Sequence, residues 1–295
     1  MWNLPMKSIL FFLLLFAATF SFANQNAYFK YDIRTITADN STKQSYKLFI
    51  YSPKVEAPKS GLPIIYIVDG NSVFASLVDE VRRNIAVKHG KPAIVVAIGY
   101  PDDAPWNSRR NYDLTPWQPD AKQYPEDYPL DPKIFGGAEK FLTVIKKQII
   151  PAVEKDYKVD SSQRTLAGHS LGGLFTLHVM FAEAKLFRNF VAASPSLWYG
   201  GNKMFAVLEQ NAKKLAKNNA NSPSVRILVG GCEETIDAMG ASKQTNDWML
   251  NIGRMVSNAT RFYSELHKLS GDRVSFRILA GEDHQSVIGS YIAEA

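Results

Sequence analysis

Runs of apolar residues alternate with amphipathic stretches along most of the chain after residue 60. The runs at 63–69 and 92–99 are almost entirely apolar and begin at a proline, which is typical of parallel strands covered on both faces. Comparable runs follow at 164–168, 189–194, 225–230 and 274–280. Between the runs, the spacing of apolar positions predicts helices at about 71–89, 136–156, 171–184, 201–217, 240–269 and 285–294.

Two earlier segments, around 28–38 and 45–52, have a different pattern. Side-chain character changes at every second position, with Tyr46, Leu48 and Ile50 on one face, which favours half-buried antiparallel strands. We therefore expect an α/β fold: a doubly wound, mostly parallel sheet with an antiparallel N-terminal edge and helices on both faces. Ligands of such folds bind beyond the carboxyl ends of the strands, so the loops there are where chemistry is expected.

Residues 101–135 interrupt this order. They contain seven of the fifteen prolines and lack the period of either a helix or a strand. Six aromatic residues accompany the prolines, at 106, 112, 117, 124, 128 and 135. A loop of this length is uncommon inside a compact domain, so we interpret it as an insertion. It is either a lid over a binding site or a structural excursion packed on the body.

The first 23 residues have the features of a secretory signal peptide. Lys7 precedes an apolar run over 9–20, and the small residues Ser21 and Ala23 are typical of a cleavage site. The run is short for a bilayer span, so an uncleaved N-terminal anchor is the less favoured alternative. We expect a periplasmic or secreted protein in which residues 24–295 form one domain, without stable membrane insertion after cleavage.

Composition excludes several classes of protein. With 46% hydrophobic and 21% charged residues, the chain has the balance of an ordinary globular protein. Its formal net charge of +6 becomes +5 once Lys7 leaves with the signal peptide, and no Lys/Arg run indicates nucleic-acid binding. The single cysteine, Cys232, excludes an intrachain disulfide. Because no metal-ligand spacing, phosphate loop or dinucleotide motif is present, we expect no cofactor.

The sequence Gly-His-Ser-Leu-Gly at 168–172 is a G-x-S-x-G motif. A predicted strand precedes it and a predicted helix follows it, which is the context of a nucleophile elbow. There the serine occupies a sharp turn and its hydroxyl projects above the sheet. Ser170 is therefore the candidate nucleophile, and the helix N-terminus beyond it favours developing negative charge.

A serine nucleophile needs a base, and five histidines are available. His284 is favoured because it directly follows the last predicted strand, where the base of this fold lies. His169 is inside the elbow and cannot fold back onto Ser170. We interpret the others as structural: His178 within the helix after the elbow, His89 at a helix C-terminus, and His267 as a solvated residue on a charged helix.

The third member of a triad is expected to be a carboxylate after the strand that ends near residue 230. Glu233 is favoured, followed by Asp237 and then Glu234. Asp247 is a more remote candidate, and Asp283 is disfavoured because it adjoins His284. A serine–histidine pair without a strongly coupled acid remains open.

An oxyanion formed during acyl transfer needs two hydrogen-bond donors. The backbone N–H of Leu171, at the head of the elbow helix, is expected to be one of them. The loop after the strand at 63–69 supplies the other, from Asn71 or, in reserve, Gly70. The alternative is that this loop merely turns the chain.

Six short regions of the chain together form a recognisable set of motifs, at 66–71, 110–116, 137–141 with 150–151, 164–173, 193–198 and 281–284. In this combination the chain resembles the esterase-D-like branch of the α/β hydrolases. That branch includes siderophore (enterobactin-type) esterases, S-formylglutathione hydrolases and mycolyltransferases. Asp-Leu-Thr-Pro at 113–116 and Ser-Pro-Ser-Leu-Trp at 194–198 look most like the siderophore-esterase subgroup.

The resemblance implies an α/β-hydrolase fold and hydrolysis of carboxylic esters through an acyl-enzyme. In the siderophore subgroup, an arginine near the pocket is expected to engage the anionic ligand. Arg110 matches that position, with Arg109 beside it, and Trp198 is a further candidate for substrate contact. Charge and stacking at Arg109, Arg110 and the surrounding aromatics would suit a catecholate trilactone. Alternatively, the arginines belong to the loop scaffold, with Arg110 pairing Asp113.

The leading hypothesis is thus an exported serine carboxylic-ester hydrolase acting on a small-molecule ester. The most specific hypothesis for its substrate is a siderophore trilactone. Iron would arrive as part of that substrate. A general acyl or carbohydrate esterase and an acyltransferase are the alternatives within the same chemistry. A non-catalytic ligand-binding protein is the alternative from another class, and the intact Ser170 and His284 argue against it.

Overall fold

One eight-stranded sheet organises the fold in the computed structural model, which describes residues 31–39, 44–123, 131–216, 222–235 and 243–294. The strands lie in the order β1-β2-β4-β3-β5-β6-β7-β8. Their bounds are β1 Asp32–Asp39, β2 Gln44–Tyr51, β3 Leu62–Val68, β4 Ile94–Gly99, β5 Val159–His169, β6 Asn189–Ala193, β7 Ser224–Gly230 and β8 Val274–Leu279. The strands β1 and β2 are antiparallel to their neighbours, and β3 to β8 are parallel to one another. The predicted α/β sheet with an antiparallel N-terminal edge is confirmed.

Alternating residues of the central strands pack into two cores, one on each face of the sheet. In β3, Tyr66 and Val68 belong to one core, whereas Ile65 and Ile67 belong to the other. Both faces are covered by helices, which explains why the strands are continuously apolar in sequence.

Nine α-helices are present among the described residues: α1 Gly70–Ala86, α2 Arg110–Asp113, α3 Ala138–Val144, α4 Ile150–Glu154, α5 Leu171–Ala182, α6 Tyr199–Leu215, α7 Lys243–Trp248, α8 Met255–Ser270 and α9 Val287–Ile292. None of these helices is long and apolar enough to cross a membrane. The N-terminal segment interpreted as a signal peptide lies outside the described residues.

Two predicted helices are interrupted. A π-helical turn at Ile145–Ile149 joins α3 to α4, just before Pro151, which lacks an N–H for helical hydrogen bonding. The prediction of one helix over 240–269 was wrong, because Arg254 adopts a left-handed conformation with φ 40° between α7 and α8. Before that break, a Cβ atom at Gly253 would lie only 2.7 Å from Trp248 Cζ3, so this position favours glycine.

The described part of the 101–135 insertion is held against the body by hydrogen bonds. The Tyr46 hydroxyl donates to Asp113 at 3.0 Å, and the Trp248 indole donates to the Gln123 carbonyl at 2.7 Å. This packing positions α2 beside the carboxyl ends of β3 and β4. Residues 124–130, with two of the predicted aromatic positions, lie outside the described residues.

Candidate active site

Ser170 lies in a sharp turn between β5 and α5. Its backbone has φ 60° and ψ −117°, a strained conformation for a residue with a side chain. A Cβ atom at Gly168 would lie 2.4 Å from the carbonyl oxygen of Gly172, so the strand and the helix approach too closely there for any larger residue. The G-x-S-x-G motif therefore forms the predicted elbow.

The structure brings Ser170, His284 and Glu233 into one chain of hydrogen bonds. The Nε2 atom of His284 is 3.0 Å from Ser170 Oγ, and its Nδ1 atom is 2.6 Å from Glu233 Oε2. His284 follows β8, and Glu233 follows β7, as the order nucleophile, acid, base in this fold requires. In this arrangement the imidazole can accept the serine proton while the carboxylate stabilises the imidazolium that results.

Glu233 is buried, with 1% of its surface exposed, and its carboxylate is fully engaged. Its Oε1 atom accepts hydrogen bonds from the Gly230 N–H at 2.7 Å and from the Ser194 hydroxyl. Its Oε2 atom is left for His284. Because three partners hold this buried carboxylate, its Oε2 atom stays oriented toward the Nδ1 edge of the imidazole ring.

The other candidate acids within the described residues interact with partners other than His284. Glu234 accepts from the N–H and the hydroxyl of Ser257 at 2.6 and 2.7 Å, near the start of α8. Asp247 pairs with Lys243 at the surface, and Asp283 accepts from the backbone N–H of Gln285 at 2.7 Å. Asp237 lies outside the described residues. Glu233 is the described acid that contacts His284.

The remaining histidines take other positions. His178 contacts Glu139 at 2.7 Å, and burial lowers its pKa. His89 is exposed near the end of α1. The interpretation of His267 as solvated was wrong: it is half-buried and its ring packs against Tyr263, 5.2 Å away.

His169 is buried beside the base. Its ring lies 4.6 Å from that of His284, and its Nε2 atom has no hydrogen-bond partner. Burial, with smaller effects from His284 and Arg110, holds the pKa of His169 well below its ordinary value. The imidazole next to the base is therefore neutral and adds no competing positive charge.

The two expected oxyanion donors lie at the N-termini of two helices, α5 and α1. Leu171 begins α5, and Asn71 and the reserve donor Gly70 lie in the first turn of α1, where N–H groups lack partners within the helix. A Cβ atom at Gly172 would lie 3.3 Å from Asp69 Oδ2, so the turn before α1 packs against the first turn of α5. The Asn71 side chain is not free, since its Oδ1 accepts from the Tyr100 N–H at 2.8 Å.

Arg110 pairs with Asp69 rather than with Asp113. Its Nε and Nη2 atoms bond the two Asp69 oxygens at 2.8 and 2.9 Å, with both side chains largely buried. Arg109 is the residue that pairs with Asp113, at 3.3 Å, because an i,i+4 spacing places the two on one side of α2. The alternative in which Arg110 pairs with Asp113 was wrong.

Arg109 and Trp198 both pack against aromatic rings. The guanidinium of Arg109 lies over the rings of Tyr46 and Tyr100, 4.4 and 4.8 Å from the two ring centroids. Trp198 is buried and packs edge-to-face on Trp248 at 4.8 Å. Neither residue lines the cleft at Ser170, and substrate contact by Arg109 and Trp198 stays a prediction.

A cleft of about 180 Å³ opens at the triad and is lined by Trp106, Arg110, His169, Ser170, His284 and Gln285. Trp106 is 39% exposed, and the Arg110 guanidinium lies 5.3 Å from its ring centroid. The sequence analysis placed Trp106 among the aromatics of the insertion but did not single it out as a wall of this cleft, although it lies only four residues before Arg110. Among the described residues, no cluster of three or more His, Cys, Asp or Glu side chains is arranged to hold a metal ion.

The strand order and the Ser–His–Glu arrangement at the carboxyl end of the sheet define an α/β hydrolase. Residues 39–263 match the family described as "Putative esterase". The chain belongs to this esterase family and is a serine carboxylic-ester hydrolase.

Individual relatives can be aligned with more than four fifths of this chain. The ferri-bacillibactin esterase BesA of Bacillus subtilis is 32% identical over 277 residues, which cover 90% of this chain and 87% of that protein. A siderophore enterobactin esterase of Emericella nidulans is 32% identical, covering 81% of this chain and 82% of that protein. The solved structure of the siderophore hydrolase EstA from Aspergillus nidulans has a TM-score of 0.75 and 29% identity, covering 89% of this chain and 92% of that chain.

Proposed function

We propose that this protein is an exported serine esterase that hydrolyses the ester bonds of a siderophore through an acyl-enzyme on Ser170. The observation that carries this proposal is the hydrogen-bonded chain from Ser170 through His284 to Glu233 at the nucleophile elbow. The Ser170–His284 distance of 3.0 Å is short enough for proton transfer without rearrangement, and the His284–Glu233 distance of 2.6 Å is short enough for the carboxylate to orient the imidazole.

In the first half of the reaction, Ser170 Oγ attacks the ester carbonyl carbon as its proton passes to His284 Nε2. The tetrahedral oxyanion accepts hydrogen bonds from the N–H groups of Leu171 and Asn71. The C–O bond to the alcohol then breaks, and the imidazolium returns the proton to the leaving alkoxide. In the second half, a water molecule gives a proton to His284 as its oxygen attacks the acyl carbon. The bond between that carbon and Ser170 Oγ then breaks, the imidazolium returns the proton to Oγ, and the carboxylic acid leaves.

Two observations support a siderophore as the substrate. BesA and the Emericella relative are named for ferri-bacillibactin and enterobactin, and this chain matches most of their length. The cleft is also lined by Arg110, which bonds Asp69 through Nε and Nη2 only, and by the exposed Trp106 beside it. A guanidinium and an indole suit a ligand that is both anionic and aromatic, as a catecholate complex is.

We expect the purified protein to hydrolyse a ferric triscatecholate trilactone with a higher kcat/KM than p-nitrophenyl acetate. Trp106→Ala is expected to lower kcat/KM for the trilactone about tenfold, because stacking in the cleft is lost, and to leave the acetate rate unchanged. Ile134→Ala is the control, since Ile134 has the same 39% exposure and lies outside the cleft lining. Product acids separated by liquid chromatography report the rates.

Hydrolysis of the acetate without release of linear trilactone products would contradict the siderophore assignment while leaving the esterase mechanism in place. Equal losses in the Trp106 and Ile134 variants would contradict the role of the cleft aromatic.

Export is proposed from the N-terminal pattern of Lys7, the apolar run over 9–20 and the small residues at 21 and 23. Expressed as the full chain in a Gram-negative host, the protein is expected in the periplasmic fraction with Asn24 as its first residue. Leu14→Arg, which breaks the apolar run, is expected to retain the full-length chain in the cytoplasm. Mass spectrometry of both fractions tests this, and recovery of the uncleaved wild-type chain from the cytoplasm would contradict it.

A further inference from the structure

Ser194 has a backbone conformation that a residue with a side chain rarely adopts. It directly follows β6, is fully buried and has φ 40°. Among the described residues, six non-glycine residues have positive φ, and three of them, Asp69, Ser170 and Ser194, lie at the active site. Strain of this kind persists only where the surrounding structure fixes it, and it is concentrated at functional positions. A glycine would avoid the strain, so the serine hydroxyl is the feature that needs an explanation.

The hydroxyl of Ser194 donates to Oε1 of Glu233, the oxygen that also accepts the Gly230 N–H at 2.7 Å. The backbone around it is fixed, because the Ser194 N–H donates to the Leu228 carbonyl at 2.7 Å. The carboxylate is therefore held from the side opposite His284 by a donor built into the sheet. The strained φ directs that donor toward the carboxylate.

We propose that Ser194 is a positioning residue of the reaction, acting through Glu233 and His284 without touching the substrate. This inference rests on the proposed function. The hydroxyl fixes the rotation of the carboxylate so that Oε2 meets the imidazole Nδ1–H. The positive end of its O–H dipole also offsets part of the negative charge that Glu233 presents to the imidazole.

A change at Ser194 adds or removes no charged or titratable group around His284. Glu233 faces its Nδ1 atom, neutral His169 packs on its ring, and Arg110 lines the same cleft. A shift in the pH dependence would therefore come from the lost hydroxyl and not from a new charge.

The test is Ser194→Gly, which removes the hydroxyl and relieves the positive φ together. We expect kcat for p-nitrophenyl acetate to fall about tenfold, the scale of one hydrogen bond to a charged group. The acid limb of the kcat/KM profile is expected to move about half a unit to higher pH, with KM unchanged. The thermal midpoint is expected to stay within about 3 °C of wild type, because relief of strain offsets the lost bond.

Ser257→Ala is the matched control. Its hydroxyl donates to Glu234 at 2.7 Å, so it removes the same type of serine–glutamate bond one residue away from the triad acid. We expect its kcat and its pH profile to equal those of wild type.

The outcomes separate this inference from the proposed function. A Ser194→Gly enzyme with the wild-type kcat and acid limb, alongside an inactive Ser170→Ala enzyme, would overturn the role of Ser194 alone. An active Ser170→Ala enzyme would overturn the proposed function first. A fall in kcat without a shift of the acid limb would reduce Ser194 to a structural residue and would also overturn the inference.

Discussion

Ser170→Ala is expected to lower kcat for ester hydrolysis by about 10⁶-fold, while the protein folds and binds substrate as wild type does. The Oγ atom that faces His284 at 3.0 Å is the atom that forms the acyl bond, so its loss leaves the imidazole without a proton to accept. Alanine also tolerates the turn no worse than serine does, since both carry a Cβ atom. Steady-state rates with p-nitrophenyl acetate measure the effect.

Ser162→Ala is a control on the same strand. Ser162 is exposed near the start of β5, at the opposite end from the elbow, and its hydroxyl contacts Asp160. We expect the turnover of this variant to equal that of wild type. A Ser170→Ala protein retaining more than a tenth of the wild-type rate would remove Ser170 from the mechanism.

Glu233→Gln is expected to lower kcat by about 10³-fold or more. The carboxamide has one oxygen where the carboxylate has two, so its NH₂ group must face either the imidazole Nδ1–H or the donors from Gly230 and Ser194. The imidazolium formed during the reaction also loses its negative partner. The same esterase assay measures this loss, with circular dichroism to verify the fold.

Glu234→Gln separates the two adjacent acids. Glu234 accepts hydrogen bonds from Ser257 near the start of α8, and a glutamine oxygen can still accept them. We expect its kcat within twofold of wild type and a loss of about 1 kcal/mol in the free energy of unfolding. If Glu234→Gln or Asp237→Asn abolished turnover and Glu233→Gln did not, the assignment of Glu233 as the triad acid would be wrong.

Local pattern was enough to predict the sheet and the order of its helices. Each continuous apolar run from β3 to β7 became a parallel strand because both of its faces are covered, and this double burial is visible in sequence. The edge strand β8 is parallel as well, although most of its residues are not buried. The elbow and the position of His284 were predictable as well, because each follows a strand that the sequence pattern identifies. The choice among Glu233, Glu234 and Asp237 was not, because it depends on which way each side chain leaves one short turn.

Side-chain partners across loops were the less predictable part. Arg109 and Arg110 are adjacent in one motif, yet α2 directs them to opposite sides, toward Asp113 and toward Asp69. The i,i+4 spacing of Arg109 and Asp113 was a signal that could have resolved the pairing. Trp198 gave no such signal, because its burial against Trp248 depends on α7, far along the chain.

Covalent capture tests the central claim most directly. After reaction with a fluorophosphonate, the wild-type protein is expected to carry one adduct, on the peptide that contains Ser170, and His284→Ala is expected to react far more slowly. Peptide mass mapping distinguishes this from a reaction at Ser196, whose hydroxyl lies only 3.4 Å from Ser170 Oγ. An active enzyme that forms no adduct, or that carries the adduct at another serine, would contradict an acyl-enzyme on Ser170.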